Sequence, residues 1–234
     1  MFVLMDIEWI ENRIRHINPT QIAAMRVDEQ WRCHDRFYSR IRPRDSSFHQ
    51  WAHMAYTGAA ATDFLHANSL YRVLTELEDW LREDDIICFW FEDSKNILKS
   101  VYNLLLKRKV SQRIVILSDY VKPFLTERNM KSASPYKLCA NCGLAVDGPK
   151  HQSENGVLAM RKALCRINYP PASLYGPPPR AEIAKPAAPC PPKTVYPYQS
   201  ELNTGLCHKA GCSEIPAGAV LTGHTDLKYF FRKN

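Results

Sequence analysis

The stretch Phe2-Val3-Leu4-Met5-Asp6-Ile7-Glu8-Trp9 decides how the rest of this chain is read. Four apolar residues in succession, followed by two acids one residue apart, suit a buried strand with acids at its end. Residues two apart on a strand share a face. Asp6 and Glu8 are therefore expected to project together, half buried, beside an apolar run. Buried carboxylates are costly unless something offsets their charge. A hard divalent cation such as Mg²⁺ or Mn²⁺ would do so through their oxygens. A solvent-facing pair at a strand end is the plainer alternative.

Outward from this strand, apolar runs alternate with helical spacing. Ile22–Val27 and Cys33–Ile41 read as further strands, and the short connections favour antiparallel pairing. Leu70, Val73, Leu74, Leu77 and Leu81 fall on one face of a helix over residues 69–81. Ile86–Trp90 reads as a buried strand and Arg113–Ser118 as another. Residues 94–108 read as a helix with Ile97, Val101, Leu104 and Leu105 inward. Residues 135–142 and 153–165 read as the last two helices. The expected class is α/β: a mixed sheet with helices on its faces.

The chain has 234 residues, of which 45% are hydrophobic and 24% charged, enough to bury a core and to exclude disorder throughout. It holds no run of about 18 apolar residues, so no membrane span is expected. The apolar start Met1–Met5 is too short for a secretory signal, which points to a cytoplasmic protein with reduced thiols. The net charge of +7 permits nucleic-acid contact without demanding it. Ten of the sixteen prolines lie between Pro170 and Pro197. That density suits neither a helix interior nor a central strand. It divides the chain into a body of residues 1–167, a proline-rich linker of 168–200, and a small tail of 201–234. The body carries +4, from 24 basic and 20 acidic residues, so it is not a polycationic domain.

Two more features bear on chemistry. Trp90-Phe91-Glu92-Asp93-Ser94 brings acids to the end of a strand and the start of a helix, where capping by Asp93 or Ser94 is the structural alternative. His151 stands just before a helix, where a histidine can serve as general base on a metal-bound water.

Taken in order, FVLMDIEW (2–9), HMAYTGAAATDFLHANSLYRVLTELEDWL (53–81), CFWFEDSKNIL (88–98) and SPYKLCANCGLAVDGPKHQSENGVLAMRKAL (134–164) resemble the DEDDh (DnaQ-like) family of 3′–5′ exonucleases. That family has a ribonuclease H-like fold, and the resemblance runs over residues 2–167. It implies two Mg²⁺ or Mn²⁺ ions held by four acids, with a histidine activating the attacking water. Asp6 and Glu8 match the first two acids and His151 the base. Asp93 matches the middle acid if the alignment slips by one residue; otherwise Ser94 stands there. The position of the last acid, five residues after the histidine, is Gly156, which has no ligand atom. Glu154 lies about 200° around the helix from it. Trp9 and Ile10 follow the first acids, where family members wedge the terminal base; simple packing is the alternative.

The resemblance thus implies a two-metal 3′–5′ exonuclease acting on single-stranded 3′ ends, slowed by Gly156. The alternative is a degenerate exonuclease fold that binds nucleic acid or protein without cutting. Cys139 and Cys142 have zinc-knuckle spacing but fall in a helix, where packing is the expected role. In the tail, His208 and Cys212 resemble half of the small zinc module of the Ada repair protein. No second ligand pair follows, so stably bound Zn²⁺ is not expected.

Overall fold

Phe2–Glu11 forms β1, the central strand of the sheet. Val3, Leu4 and Met5 are fully buried, because apolar side chains leave the strand on both faces and each face is covered. The computed structural model describes residues 1–11, 17–43, 59, 62–131 and 134–178. β2 (Ile17–Val27) runs antiparallel to β1, and β3 (Cys33–Arg40) antiparallel to β2. Helices α1 (Thr62–Leu65) and α2 (Leu70–Trp80) follow. β4 (Ile86–Phe89) then returns parallel to the other side of β1, α3 (Glu92–Val101) follows, and β5 (Arg113–Ile116) adds parallel to β4. Among the described residues the strand order is β3-β2-β1-β4-β5. The chain continues through α4 (Leu117–Glu127), α5 (Pro135–Asn141) and α6 (Ser153–Arg166).

The pleat sorts β1 into two cores. Val3, Met5 and Ile7 pack with Ile22, Ile87 and Phe89 against α2 and α3. Phe2 and Leu4 pack with Met25 and Cys88 against α4, α5 and α6. Asp6 and Glu8 continue the second set, so the alternation that buries Phe2 and Leu4 turns both acids toward α6.

β1 is longer than the sequence suggests. It runs on to Glu11 because β2 pairs with it along its whole length. The acids stand at a rim for a different reason: β4 stops, and its last partner pair with β1 is Leu4 with Cys88. A bulge between Glu8 and Trp9 skips Thr20, whose hydroxyl donates to the Glu8 carbonyl at 3.1 Å. Bulges re-aim side chains at sheet rims, and this one ends the Asp6–Glu8 alternation.

Three other expectations change. The helix over 94–108 starts two residues earlier and widens into a π turn at Tyr102–Leu106. The wider turn shifts the phase of the inward face, so Tyr102 is buried and Leu104 is 56% exposed. Residues 117–127, expected to hold only the end of a strand, form α4 despite Pro123, because Tyr120, Val121 and Leu125 bury one face. Residues 168–178 are not a free polyproline spacer. Pro171–Tyr175 forms a 3₁₀ turn, Tyr169 and Leu174 are buried, and Trp31 Nε1 donates to the Tyr169 carbonyl at 2.9 Å. Arg113 and the Tyr120 hydroxyl both donate to the Gly176 carbonyl, so the folded body extends past residue 167. The rest of the linker from 179, and the tail with His208 and Cys212, lie outside the described residues.

Cys139 is buried in α5, where its thiol donates to the Ala159 carbonyl, and Cys142 packs beside it as the helix C-cap. Gly143, at φ +70°, ends α5: its N–H bonds the Ala140 carbonyl while that of Leu144 reaches Cys139. The cysteine pair is therefore explained by packing and helix termination. Among the described residues no helix is long and apolar enough to cross a membrane.

Candidate functional site

A cleft of about 760 Å³ opens where β1 outruns β4. Its floor is Asp6, Glu8 and Trp9 from β1. One wall is Trp90, Phe91, Asp93 and Ser94, where β4 passes into α3; the opposite wall is Tyr136 and Lys137 of α5 with Lys150, His151 and Gly156 around the start of α6. A crevice beyond the carboxyl ends of parallel strands is where open α/β sheets place ligands.

Asp6 and Glu8 share this cleft as their spacing implies. Burial pushes the Asp6 carboxyl up to about 7, opposed by a hydrogen bond from the Ile7 backbone. Burial, then the neighbouring charge of Asp6, pushes Glu8 up to about 8. His151 Nδ1 lies 3.9 Å from Glu8 Oε2, and burial with the nearby Lys150 charge lowers the imidazole pKa. The structure therefore brings Asp6, Glu8 and His151 together.

The remaining expected residues divide. Asp93 and Ser94 both line the cleft, but Ser94 is buried and Asp93 exposed. The inward place on the first turn of α3 thus carries a hydroxyl, and the carboxylate sits at the outer rim. Gly156 is buried directly against Asp6: a Cβ at that position would stand 2.8 Å from Asp6 Cγ. Glu154 is exposed and does not line the cleft. Trp9 lines it; Ile10 is 7% exposed and does not, because the bulge after Glu8 turns it into the core.

Two local devices hold α6 and its leading loop. Its N-cap residue Gln152 makes no capping bond; instead Gln21 of β2 reaches across, and its Oε1 accepts from the Ser153 N–H at 3.2 Å. Gln21 pairs with Glu8 across the strands, so one buried amide links the acid-bearing strand to the helix after His151. Asn155 Nδ2 donates to the Pro149 carbonyl at 2.9 Å and ties down the loop that carries His151. Gln21, Tyr136 and Phe91 were not singled out in the sequence. A buried glutamine in an otherwise apolar strand, and an aromatic just after a Ser-Pro helix start, were the available signals.

The donor set does not fit two divalent ions. Among the described residues no three His, Cys, Asp or Glu side chains converge as a metal-holding group. Asp6 and Glu8 supply carboxylates, Asp93 one at the outer rim, and His151 an imidazole; Ser94 offers only a hydroxyl and Gly156 nothing.

No protein-family model and no curated protein matches this sequence. Solved structures do match. The nuclease domain of 3′hExo, a DEDDh family member bound to rAMP, has a TM-score of 0.58 at 12% identity, over 71% of this chain and 90% of that one. A 3′-exonuclease that recognises the 3′ end of a histone mRNA stem-loop gives 0.59 at 10% identity, over 71% and 62%. E. coli Exonuclease I in complex with a dT13 oligonucleotide gives 0.59 at 13% identity, over 74% and 42%. This chain therefore spans less than two thirds of the length of the last two. At such identities the likeness establishes architecture: this chain has the α/β, ribonuclease H-like fold of 3′-exonucleases.

Proposed function

We propose that this chain binds the 3′ end of single-stranded nucleic acid in the Asp6–Glu8 cleft, with hydrolysis far below that of a complete four-acid site. The observation that carries this reading is Gly156. Its backbone occupies the space beside Asp6 where the family resemblance calls for the last carboxylate. Ser94 in the buried place on α3 supports the same conclusion. The cleft keeps what binding needs. Trp9 and the half-exposed Phe91 offer faces on which bases stack. Lys137 and Lys150 offer two cations to phosphates.

The test is fluorescence anisotropy with single-stranded DNA and RNA oligonucleotides, alongside a cleavage assay in Mg²⁺ or Mn²⁺. The expected result is binding that prefers a free 3′ end over a circular strand, without laddering. Two phosphate contacts predict a slope of roughly −1.4 for log affinity against log salt. Equal affinity for linear and circular strands would overturn the reading.

A slow exonuclease is the second reading, favoured by the approach of His151 to Glu8 at 3.9 Å. Laddering that Asp6→Ala abolishes, with a Mn²⁺-dependent rise in melting temperature lost in the same variant, would decide for it. Laddering that persists in Asp6→Ala marks a contaminant.

A further inference from the structure

The first turn of α6, Ser153-Glu154-Asn155-Gly156, carries no apolar side chain. The helix meets the hydrophobic core from Val157 onward, through Met160 and Leu164. Asparagine and glycine are weak helix formers, and the N-cap Gln152 makes no capping bond through its side chain. A turn built this way needs another anchor. Gln21 of β2 supplies it: its Oε1 accepts from the Ser153 N–H at 3.2 Å and from the Ser153 hydroxyl at 3.5 Å. Gln21 is 1% exposed and Ser153 0%, so water does not replace the bond where it is lost.

The loop before α6 is tied to that helix. Asn155 Nδ2 donates to the Pro149 carbonyl, and Lys162 Nζ donates to that of Ala145. Lys150 stands in this loop and lines the cleft; Gln21 does not. The loop therefore follows the start of α6, and Gln21 holds that start to the sheet. Lys137 reaches the same cleft from α5, which is anchored by its own core residues Leu138 and Cys139.

We propose that Gln21 is a positioning residue for the bound strand: by seating the first turn of α6 on β2, it holds Lys150 where that lysine meets a phosphate. This rests on the 3′-end-binding reading above. It separates the two cations of the cleft, since Lys150 depends on Gln21 and Lys137 does not.

The experiment measures anisotropy of the full chain with a single-stranded dT oligonucleotide at about 50 and 200 mM salt. It compares the native chain with Gln21→Met, each also carrying Lys150→Ala or Lys137→Ala. Methionine keeps the length of glutamine and lacks the acceptor. Two phosphate contacts make binding about sevenfold tighter at the lower salt, and one contact about two- to threefold. Gln21→Met is expected to show the smaller figure. Lys150→Ala should then weaken the native chain and leave Gln21→Met unchanged, while Lys137→Ala weakens both. Ser153→Pro removes the same bond from the donor side. Proline suits the first position of a helix, and the residue before it is already extended, at φ −112° and ψ 125°. This variant should behave as Gln21→Met does.

If Lys150→Ala weakens Gln21→Met as much as it weakens the native chain, the positioning role is overturned and 3′-end binding is left standing. If Gln21→Met diminishes the effects of both lysines alike, the role is overturned too, because that marks general damage to the fold. The same holds if neither Gln21→Met nor Ser153→Pro folds. A native chain that binds no strand overturns both readings.

Discussion

Gly156 packs its backbone against the side chain of Asp6: a Cβ at position 156 would stand 2.8 Å from Asp6 Cγ and 3.2 Å from Asp6 Cβ. The two residues come from α6 and β1, far apart in sequence. Their contact means that position 156, where the family resemblance calls for an acid, is closed by backbone rather than simply lacking a ligand.

Gly156→Ala is therefore expected to destabilise the chain. Helix propensity alone would favour alanine by roughly 0.5–1 kcal/mol. Overpacking against a strand-anchored side chain costs about 1–3 kcal/mol and should win. In an Asp6→Ala background the severest clash disappears, so the loss should shrink by about 1 kcal/mol or more. Urea denaturation of the four chains in this cycle measures it. Additive effects would show that the two residues do not press on one another. By the same geometry, Gly156→Asp alone should not raise cleavage, because its side chain must displace Asp6.

Stability should fall as pH rises through the range in which the acids titrate. Asp6 and Glu8 have folded-state values raised to about 7 and about 8, above the ordinary carboxylate value near 4. Between about pH 4 and pH 8 the folded state then holds more protons than the unfolded state, and the unfolding free energy declines with pH. The contribution is fully present below the unfolded values and lost as pH passes the folded ones. An Asp6→Asn, Glu8→Gln double variant should flatten this slope relative to the native chain. Parallel slopes in chemical denaturation from pH 5 to 8 would count against the buried, unneutralised pair.

Arg26 holds the far end of β2 through a buried network. Its Nε and Nη2 donate to Asp85 Oδ2 at 3.2 and 3.1 Å, Nη1 donates to Asp35 at 2.9 Å, and the guanidinium lies 4.0 Å from the Trp80 ring centroid. Arg26 and Asp85 are 2% and 1% exposed. Removing only the cation leaves a buried carboxylate without its counter-charge, so Arg26→Met should cost about 3–5 kcal/mol. Arg26→Met with Asp85→Leu should recover most of that loss. A double variant as unstable as the single one would place the network's value in packing on Trp80 instead.

A chain ending at residue 167 should be much less stable than one ending at 178. The longer form buries Tyr169 and Leu174, at about 1.5–3 kcal/mol each. It also supplies the Tyr169 carbonyl that accepts from the buried Trp31 indole. A loss of about 3–6 kcal/mol is expected from the two side chains. Equal melting temperatures for the two forms would mean that the segment adds nothing to the fold.

Much of the architecture was legible because it follows from side-chain period. Alternation in residues 2–8 put Asp6 and Glu8 on one face, and the leucine spacing of 70–81 marked α2. The helix α4 was not legible: Pro123 and the absence of a gap after β5 obscure its pattern, and burial against the sheet overrides both. Leu104 faces outward because a π turn changed the helical phase, a backbone detail that no residue pattern announces.

At the site, residue order sets which chemistry is on offer: two carboxylates two residues apart, a histidine before a helix, and a glycine where the family pattern calls for an acid. The first two depend only on residue identity and local period; the third depends on the family resemblance. Tertiary structure alone decided that Ser94 rather than Asp93 takes the buried place on α3, and that Gly156 touches Asp6. It also decided that Gln21 caps α6 and that Tyr136 lines the same cleft. Each of these depends on how separate elements settle against one another. That docking is set by close packing over the whole core, where shifts of an ångström determine which side chains meet.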